Sequence, residues 1–428
     1  MSVPTESKRK GSALFIVWLV VFIDLLGFGI VLPVLPRQVD RYLTDLSPEA
    51  KGAMIGILFS SFSLMQFIFS PVWGRISDRI GRRPVLLISL LGSVIFYALY
   101  GYAVTLPASE ATLAVALLLV SRVGAGIAGA SVGTAAAVIA DCTTPEKRAK
   151  GMALIGIAFG AGFTLGPLIA FFGLALFDDQ RWGVGALASV LSALALIVAL
   201  VSFKETRNPA NKAGKEFFSI GRSMEVLRMP TVGTLILIYF LAIFAFANFE
   251  ATLALLTKSA FGMSDDDNFL VFATVGFVLL FAGGSYRPML KRYTEAKLLK
   301  VGVVLMIVGL AGLGGVAFQS TSFNSAKVGA DWLKPAFYFA MSLAVIGFAF
   351  VNPSVSALVS KRSDPARQGE VMGVNQSFAS LGRILGPLLG SILFQVHASG
   401  TLPFALAVGL LAVVLMLLPR LFPRSNQV

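Results

Sequence analysis

The sequence predicts an all-α membrane protein, with twelve transmembrane helices forming two pseudo-symmetric six-helix bundles. Three observations carry this reading. Of 428 residues, 56% are hydrophobic and 13% charged, against about 25% charged in a soluble domain. Apolar runs of spanning length recur twelve times. Finally, stretches of the first half return in the second at constant offset.

The twelve runs lie at approximately 13–35, 52–73, 85–104, 111–140, 151–177, 183–203, 231–256, 269–286, 298–318, 333–359, 371–395 and 401–418. Most have the roughly 20 residues a helix needs to cross hydrocarbon. The first is too long for a signal-peptide core and has no Ala-x-Ala cleavage site, so it is read as a span. Segments on the side of the termini carry 25 Lys and Arg, and the alternate loops carry 6. Positive residues concentrate on the cytoplasmic side, which puts both termini in the cytoplasm of a bacterial-type inner membrane. The longest polar stretch, 202–229, is a basic linker with an amphipathic helix expected near 217–227. It separates an N-terminal bundle, 1–201, from a C-terminal bundle, 230–428.

The two halves are related. A shift of 220 brings Pro145 onto Pro365, Met152 onto Met372, Gly162 onto Gly382, and Leu165-Gly-Pro-Leu168 onto Leu385-Gly-Pro-Leu388. A shift of 210 brings Gly74 onto Gly284 and Arg82 onto Arg292, with Pro288 where Asp78 would fall. Parallel six-span repeats suit a carrier whose halves rock about a midplane site.

The net charge of +13 is spread along loops that flank spans, which suits a bilayer rather than nucleic acid. One cysteine, Cys142, and one histidine, His397, supply neither a disulfide, a Ser-His-Asp triad nor a His-rich metal site. The expectation is a non-enzyme without cofactor or metal, working as a monomer on a small molecule and protons.

Between spans two and three runs Gly74-Arg-Ile-Ser-Asp78-Arg79-Ile-Gly81-Arg82-Arg83-Pro84, read as a short basic turn with one acid among four cations. This pattern resembles the loop signature of the major facilitator superfamily of secondary transporters, through Gly74, Asp78, Arg79, Gly81 and Arg82. The resemblance extends over nearly the whole chain. It implies a gating latch, with Asp141 as partner of Arg82 and Asp78 capping the start of span eleven near Val371 to Val374. The fifth span, Gly156 to Pro167, is glycine-rich and ends in Gly-Pro, which is similar to the drug–proton antiporter branch. Asp24, Pro33 and Pro36 in span one resemble the tetracycline-efflux group. The acids of that group in spans three and nine have no counterpart, because 85–104 and 302–318 contain no Asp or Glu.

The candidate site follows from charge at membrane depth. Asp24 lies about 11 residues into span one, near mid-bilayer at 1.5 Å per residue, where an ionised acid costs on the order of 3 kcal/mol. It is expected to face a wet cavity, with Phe28 on its face. Arg122 in span four is expected to pair with it. Glu250 in span seven lies toward the outer third, where a solvated mouth residue and a proton site are both open readings. Asp24, Glu250 and Arg122 are the proton-coupling candidates. Asp24, Phe28, Gln66, Arg122, Asn248, Glu250, Asn352, Gln376 and Arg383 are the cavity candidates. The expected function is proton-coupled efflux of small lipophilic compounds by alternating access. The alternatives are an organic-anion carrier or proton symporter, and a membrane sensor that transports nothing.

Overall fold

A computed structural model describes residues 6–31, 33–143, 154–155, 158, 161–162, 165–172, 176–177, 180–207, 220–326, 331–363 and 368–421. Among these the regular elements are helices: α1 Glu6–Val31, α2 Leu35–Asp40, α3 Pro48–Ile80, α4 Arg82–Ala103, α5 Ala111–Ala128, α6 Val132–Cys142, α7 Trp182–Ser202, α8 Ile220–Arg228, α9 Pro230–Phe261, α10 Asp265–Met289, α11 Glu295–Ala326, α12 Leu333–Arg362, α13 Gln368–Val396 and α14 Leu402–Leu421. Eleven spans among the described residues are long and apolar enough to cross a membrane. Most of the expected fifth span falls outside them. The chain is all-α, with about twelve membrane-spanning helices in two pseudo-symmetric halves.

Three local departures from the expected spans matter for the site. Span one ends at Val31, and Pro36 sits in the first turn of the short α2, where a missing N–H costs nothing. The basic turn 74–84 is mostly helix: α3 runs through Ile80 and α4 starts at Arg82. The chain reverses at Gly81 alone, whose φ of 109° lies where side chains with a Cβ clash. Gly74 is inside α3, and a Cβ there would meet nothing within 4 Å. A single glycine in a helix costs only about 1 kcal/mol, so it does not end one. Span four is interrupted, with α5 and α6 joined by a 3₁₀ turn, Gly129–Ser131.

The chain divides into two compact units, Met1–Leu43 with Ser61–Glu216, and Thr44–Ser60 with Phe217–Val428. The first turns of α3 belong to the second unit for a steric reason. Gly52 and Gly56 bring its backbone against Ser391, Ile392 and Leu388, so closely that a Cβ would approach to 2.6 and 2.7 Å. Ser60 Oγ donates to Ile384 O at 2.5 Å.

Each unit packs the repeated glycines in the same way. In the first, a Cβ on Gly162 would strike Leu25 at 2.8 Å, and one on Gly166 would strike Gly29 at 2.8 Å, both on α1. In the second, Gly382 and Gly386 press on Phe240 and Phe244 of α9, where a Cβ would lie 3.0 and 2.6 Å from their carbonyl oxygens. Small residues let helix backbones approach where lipid supplies no hydrophobic drive. The core of the first unit is apolar, with Ile16, Val20, Leu86, Leu90, Val138 and Phe203 in one cluster. Asp24 stands on α1 between Ile23 and Leu25 of this cluster.

Candidate functional site

Asp24 is 2% exposed. Its Oδ1 accepts a hydrogen bond from Ser93 Oγ at 3.2 Å and its Oδ2 one from Ser131 Oγ at 2.8 Å. Ser93 comes from α4. Ser131 comes from the 3₁₀ turn, which also releases carbonyls that an unbroken helix would occupy. They are taken by side chains: Ile127 O accepts from Trp73 Nε1 at 2.7 Å, Ala128 O from Ser89 Oγ at 2.8 Å and Gly129 O from Gln66 Nε2 at 3.0 Å. A Cβ on Gly129 would lie 3.1 Å from Gln66 Nε2 and 3.8 Å from Asp24 Cβ, so Gln66, Gly129 and Asp24 meet at the break.

Arg122 is also 2% exposed. Its guanidinium stacks 4.6 Å from the centre of the Phe62 ring, a cation–π contact. The expected Asp24–Arg122 ion pair is not formed; two serine hydroxyls hold the carboxylate instead. Tyr97 of α4 lies within electrostatic reach of both charges. Gly27 makes room for its ring, since a Cβ there would sit 2.2 Å from Tyr97 Cζ. The backbone of Phe28 is in α1, and its side chain is outside the described residues.

The second unit holds a different cluster. Arg383 on α13 is half-buried and donates from Nη2 to Ser380 Oγ at 3.2 Å. Glu250 and Tyr239, both on α9, lie within its electrostatic reach. Among the described residues no carboxylate forms an ion pair with it. Tyr239 donates to Asn352 Oδ1 of α12 at 2.7 Å, which ties three helices into one polar group. Glu250 is half-buried and Gln376 exposed. Asn248 is elsewhere. It is buried in helix packing, and its Nδ2 donates to Pro403 O at 2.7 Å, tying α9 to α14.

At the signature stretch, Arg82 is the hub. Its Nη1 donates to Asp78 Oδ1 and, at 2.7 Å, to Ser77 Oγ, and its Nε donates to Asp141 Oδ2 at 3.2 Å. Arg79 has an exposed side chain, and its carbonyl accepts from Arg207 Nη1 at 2.7 Å. Glu205 completes the network. Its carboxylate accepts from the backbone N–H groups of Arg82 (2.9 Å), Arg83 (3.0 Å), Thr206 (3.0 Å) and Arg207 (2.9 Å), and so caps the positive end of α4. Partial burial works to raise its pKa, and these four donors outweigh that, holding the carboxyl below its ordinary value. Gly81 must be a glycine here for a second reason, since a Cβ would lie 2.4 Å from Glu205 Oε2.

Sequence reasoning passed over Ser93, Ser131, Tyr97, Tyr239 and Glu205. Serines in apolar runs look like packing residues. Glu205 sat in a stretch read as basic. The signal for the break was the cluster Gly126, Gly129, Ser131 and Gly133. Among the described residues, no group of three His, Cys, Asp or Glu side chains could hold a metal.

The sequence matches the family model of the Major Facilitator Superfamily over residues 17–330 and 328–428. It is 30% identical to the tetracycline resistance protein, class E, of Escherichia coli over 383 residues, 88% of this chain and 86% of that one. The structure is similar to that of the human organic anion transporter MFSD10 (TETRAN), with TM-score 0.68 and 25% identity, covering 97% of this chain and 100% of that one. It is also similar to a D-xylose-proton symporter, with TM-score 0.76 and 19% identity over 96% and 98% of the two chains. Likeness is thus divided between tetracycline-resistance and organic-anion proteins, and does not single out the drug–proton antiporter branch.

Proposed function

The chain belongs to the Major Facilitator Superfamily, secondary transporters that move a small molecule by alternating access, and from that premise we propose that it carries a small organic anion together with a proton. The observation that carries this reading is Arg383. It is a half-buried cation at membrane depth, bonded to a serine hydroxyl and without a carboxylate in ion-pair contact among the described residues. A cation left so is costly in a low-dielectric interior, and an anionic cargo offsets that cost. The likeness to the human organic anion transporter supports the same cargo class.

Asp24 is the proton carrier in this reading. Its hydroxyl partners serve either protonation state, because a serine both donates and accepts. Charge balance sets the coupling. Asp24, Glu250, Arg122 and Arg383 sum to zero in the empty protein. An anion alone leaves the interior one negative charge in excess, and a proton alone leaves one positive. Anion and proton together restore neutrality, which favours symport. Both ligands shift the equilibrium between states only through unequal affinity for them. With both termini cytoplasmic, as the excess of 25 cations over 6 indicates, the proton gradient would drive uptake.

The test is flux of naphthalenesulfonate, a permanently charged aromatic anion, into proteoliposomes under an imposed pH gradient. Accumulation toward the alkaline side, insensitive to membrane potential and lowered about tenfold by Arg383→Gln, is the expected result. Flux unchanged by that substitution would discard Arg383 as the anion ligand. A second reading, proton-driven efflux of lipophilic drugs, is favoured by the 30% identity to a tetracycline resistance protein. Tetracycline movement opposite to protons, with no sulfonate flux, would select it.

A further inference from the structure

The buried face of α4 is polar where a membrane bundle ordinarily packs apolar or small side chains. Ser89, Ser93, Tyr97 and Tyr100 follow one another at steps of four, four and three residues, so they share one side of the helix. All four are buried, whereas Ile88, Leu91, Ile95 and Tyr102 on the other side are exposed. Ser93 touches the Asp24 carboxylate. Tyr97 lies within electrostatic reach of Asp24 and Arg122, and Arg122 within reach of Tyr97 and Tyr100. At the far end the Tyr100 hydroxyl donates to Gln38 Oε1 of α2. Around Gln38 the half-buried Arg37, Asp40 and Arg41 form the polar end of this face.

We propose that this face of α4 is the path by which protons reach Asp24 from the outer end of the first unit, with Tyr100 and Tyr97 as its hydroxyl steps and Gln38 positioning the first of them. The proposal rests on the reading of Asp24 as the proton carrier and deepens it. From Tyr100 to Ser93 is about 10 Å along the helix at 1.5 Å per residue, a span that hydroxyl groups and single waters can bridge. Each hydroxyl accepts a proton on a lone pair as it releases its own. The sum is one proton lost by hydronium and one gained by the Asp24 carboxylate, which becomes a neutral acid. Tyr97 and Arg122 are the titratable and charged groups facing Asp24 from α4 and α5. The Arg122 cation disfavours a proton resting on either tyrosine, so charge passes through to the carboxylate. At rest Gln38 accepts from the Tyr100 hydroxyl, which leaves that oxygen's lone pairs free to receive a proton from the outer side; the O–H then turns from Gln38 toward Tyr97 as its own proton passes inward.

The full chain, reconstituted in uniform orientation, allows the path to be timed without knowing the cargo. An acid jump on the outer side is followed by infrared difference spectroscopy of the Asp24 carboxyl band, identified by its loss in Asp24→Asn. The expected result is that Tyr100→Phe and Gln38→Leu slow the appearance of that band about tenfold or more, with the final amplitude unchanged. Tyr102→Phe, on the exposed face, should leave the rate as it is. Full amplitude also certifies that each variant is folded. If Tyr100→Phe loses amplitude, Gln38→Leu decides, since it leaves both tyrosines in place. An unchanged rate in the full-amplitude variants overturns the path while leaving Asp24 as proton carrier. Loss of amplitude in both variants also overturns it, because the residues would then be structural. A wild-type protein with no pH-dependent Asp24 band would instead overturn the reading on which the path rests.

Discussion

The two units share a skeleton and differ in what they bury. In the first, an acid is 2% exposed and is held by two hydroxyls. In the second, an acid and a cation lie within electrostatic reach of one another, half-buried and not in ion-pair contact. The same contrast recurs at the connecting stretches. Arg82 of the first unit is gripped by Asp78, Asp141 and Ser77. The matching stretch of the second has Pro288 in place of the acid, a Tyr286–Ser354 hydroxyl contact at 3.0 Å and a Glu295–Lys361 pair. Duplication thus kept the glycines that set helix separation and let polar contents diverge. Under the proposed function the contrast would be a division of labour, with the fully buried acid taking the proton and the half-buried cation the cargo.

The strongest way to break this contrast is Asp24→Asn. It should lower gradient-driven accumulation by about 100-fold or more while exchange of cargo across the membrane continues, because exchange needs no net proton. Accumulation at the wild-type level would remove the proton from the first unit. Next is Arg82→Ala, which strips three side-chain bonds. It should destabilise the first unit by about 2 kcal/mol, the order of a charge-assisted hydrogen bond, and slow turnover with little change in cargo affinity. The equivalent change in the second unit, Arg292→Ala, should cost far less in a side-by-side denaturation series. Gly81→Ala comes third, at about 1–2 kcal/mol for forcing a side chain into the left-handed region, read as a lower melting temperature.

The smallest effect sharpens the comparison through pH. Glu205 has a carboxyl held below its ordinary value by backbone donors. Its contribution is therefore present above the unfolded-state value and lost as pH falls through the folded one. Wild type should exceed Glu205→Gln in stability near neutrality, and the two melting curves should converge in acid. A constant offset down to the carboxylate range would show that the charge of the cap contributes nothing, and coincident curves that the cap itself contributes nothing.

Much of the fold was legible because hydrocarbon imposes simple demands: length, apolarity and cations on one side. Asp24, Arg122, Glu250 and Arg383 were legible for the same reason, as charges where charge is costly. Their partners were not. Ser93 and Ser131 are too weakly polar to interrupt an apolar run, and only folding brings residues 24, 93 and 131 together. Reading 74–84 as a turn made it too long, because the reversal is confined to Gly81, where φ is positive. The cap by Glu205 joins residues more than 120 positions apart, a distance that no local pattern reports.

The 3₁₀ turn at Gly129–Ser131 has a mechanical consequence. Three successive carbonyls are handed to Trp73, Ser89 and Gln66, and Ser131 is tethered to α1 through Asp24. Sliding α1, α3 or α4 past α5 would strand several of these groups at once, in a medium with no water to replace them. The first unit is therefore pinned like a cross-braced frame. These bonds favour α1, α4 and the α5–α6 turn moving together, with Asp24 carried among them.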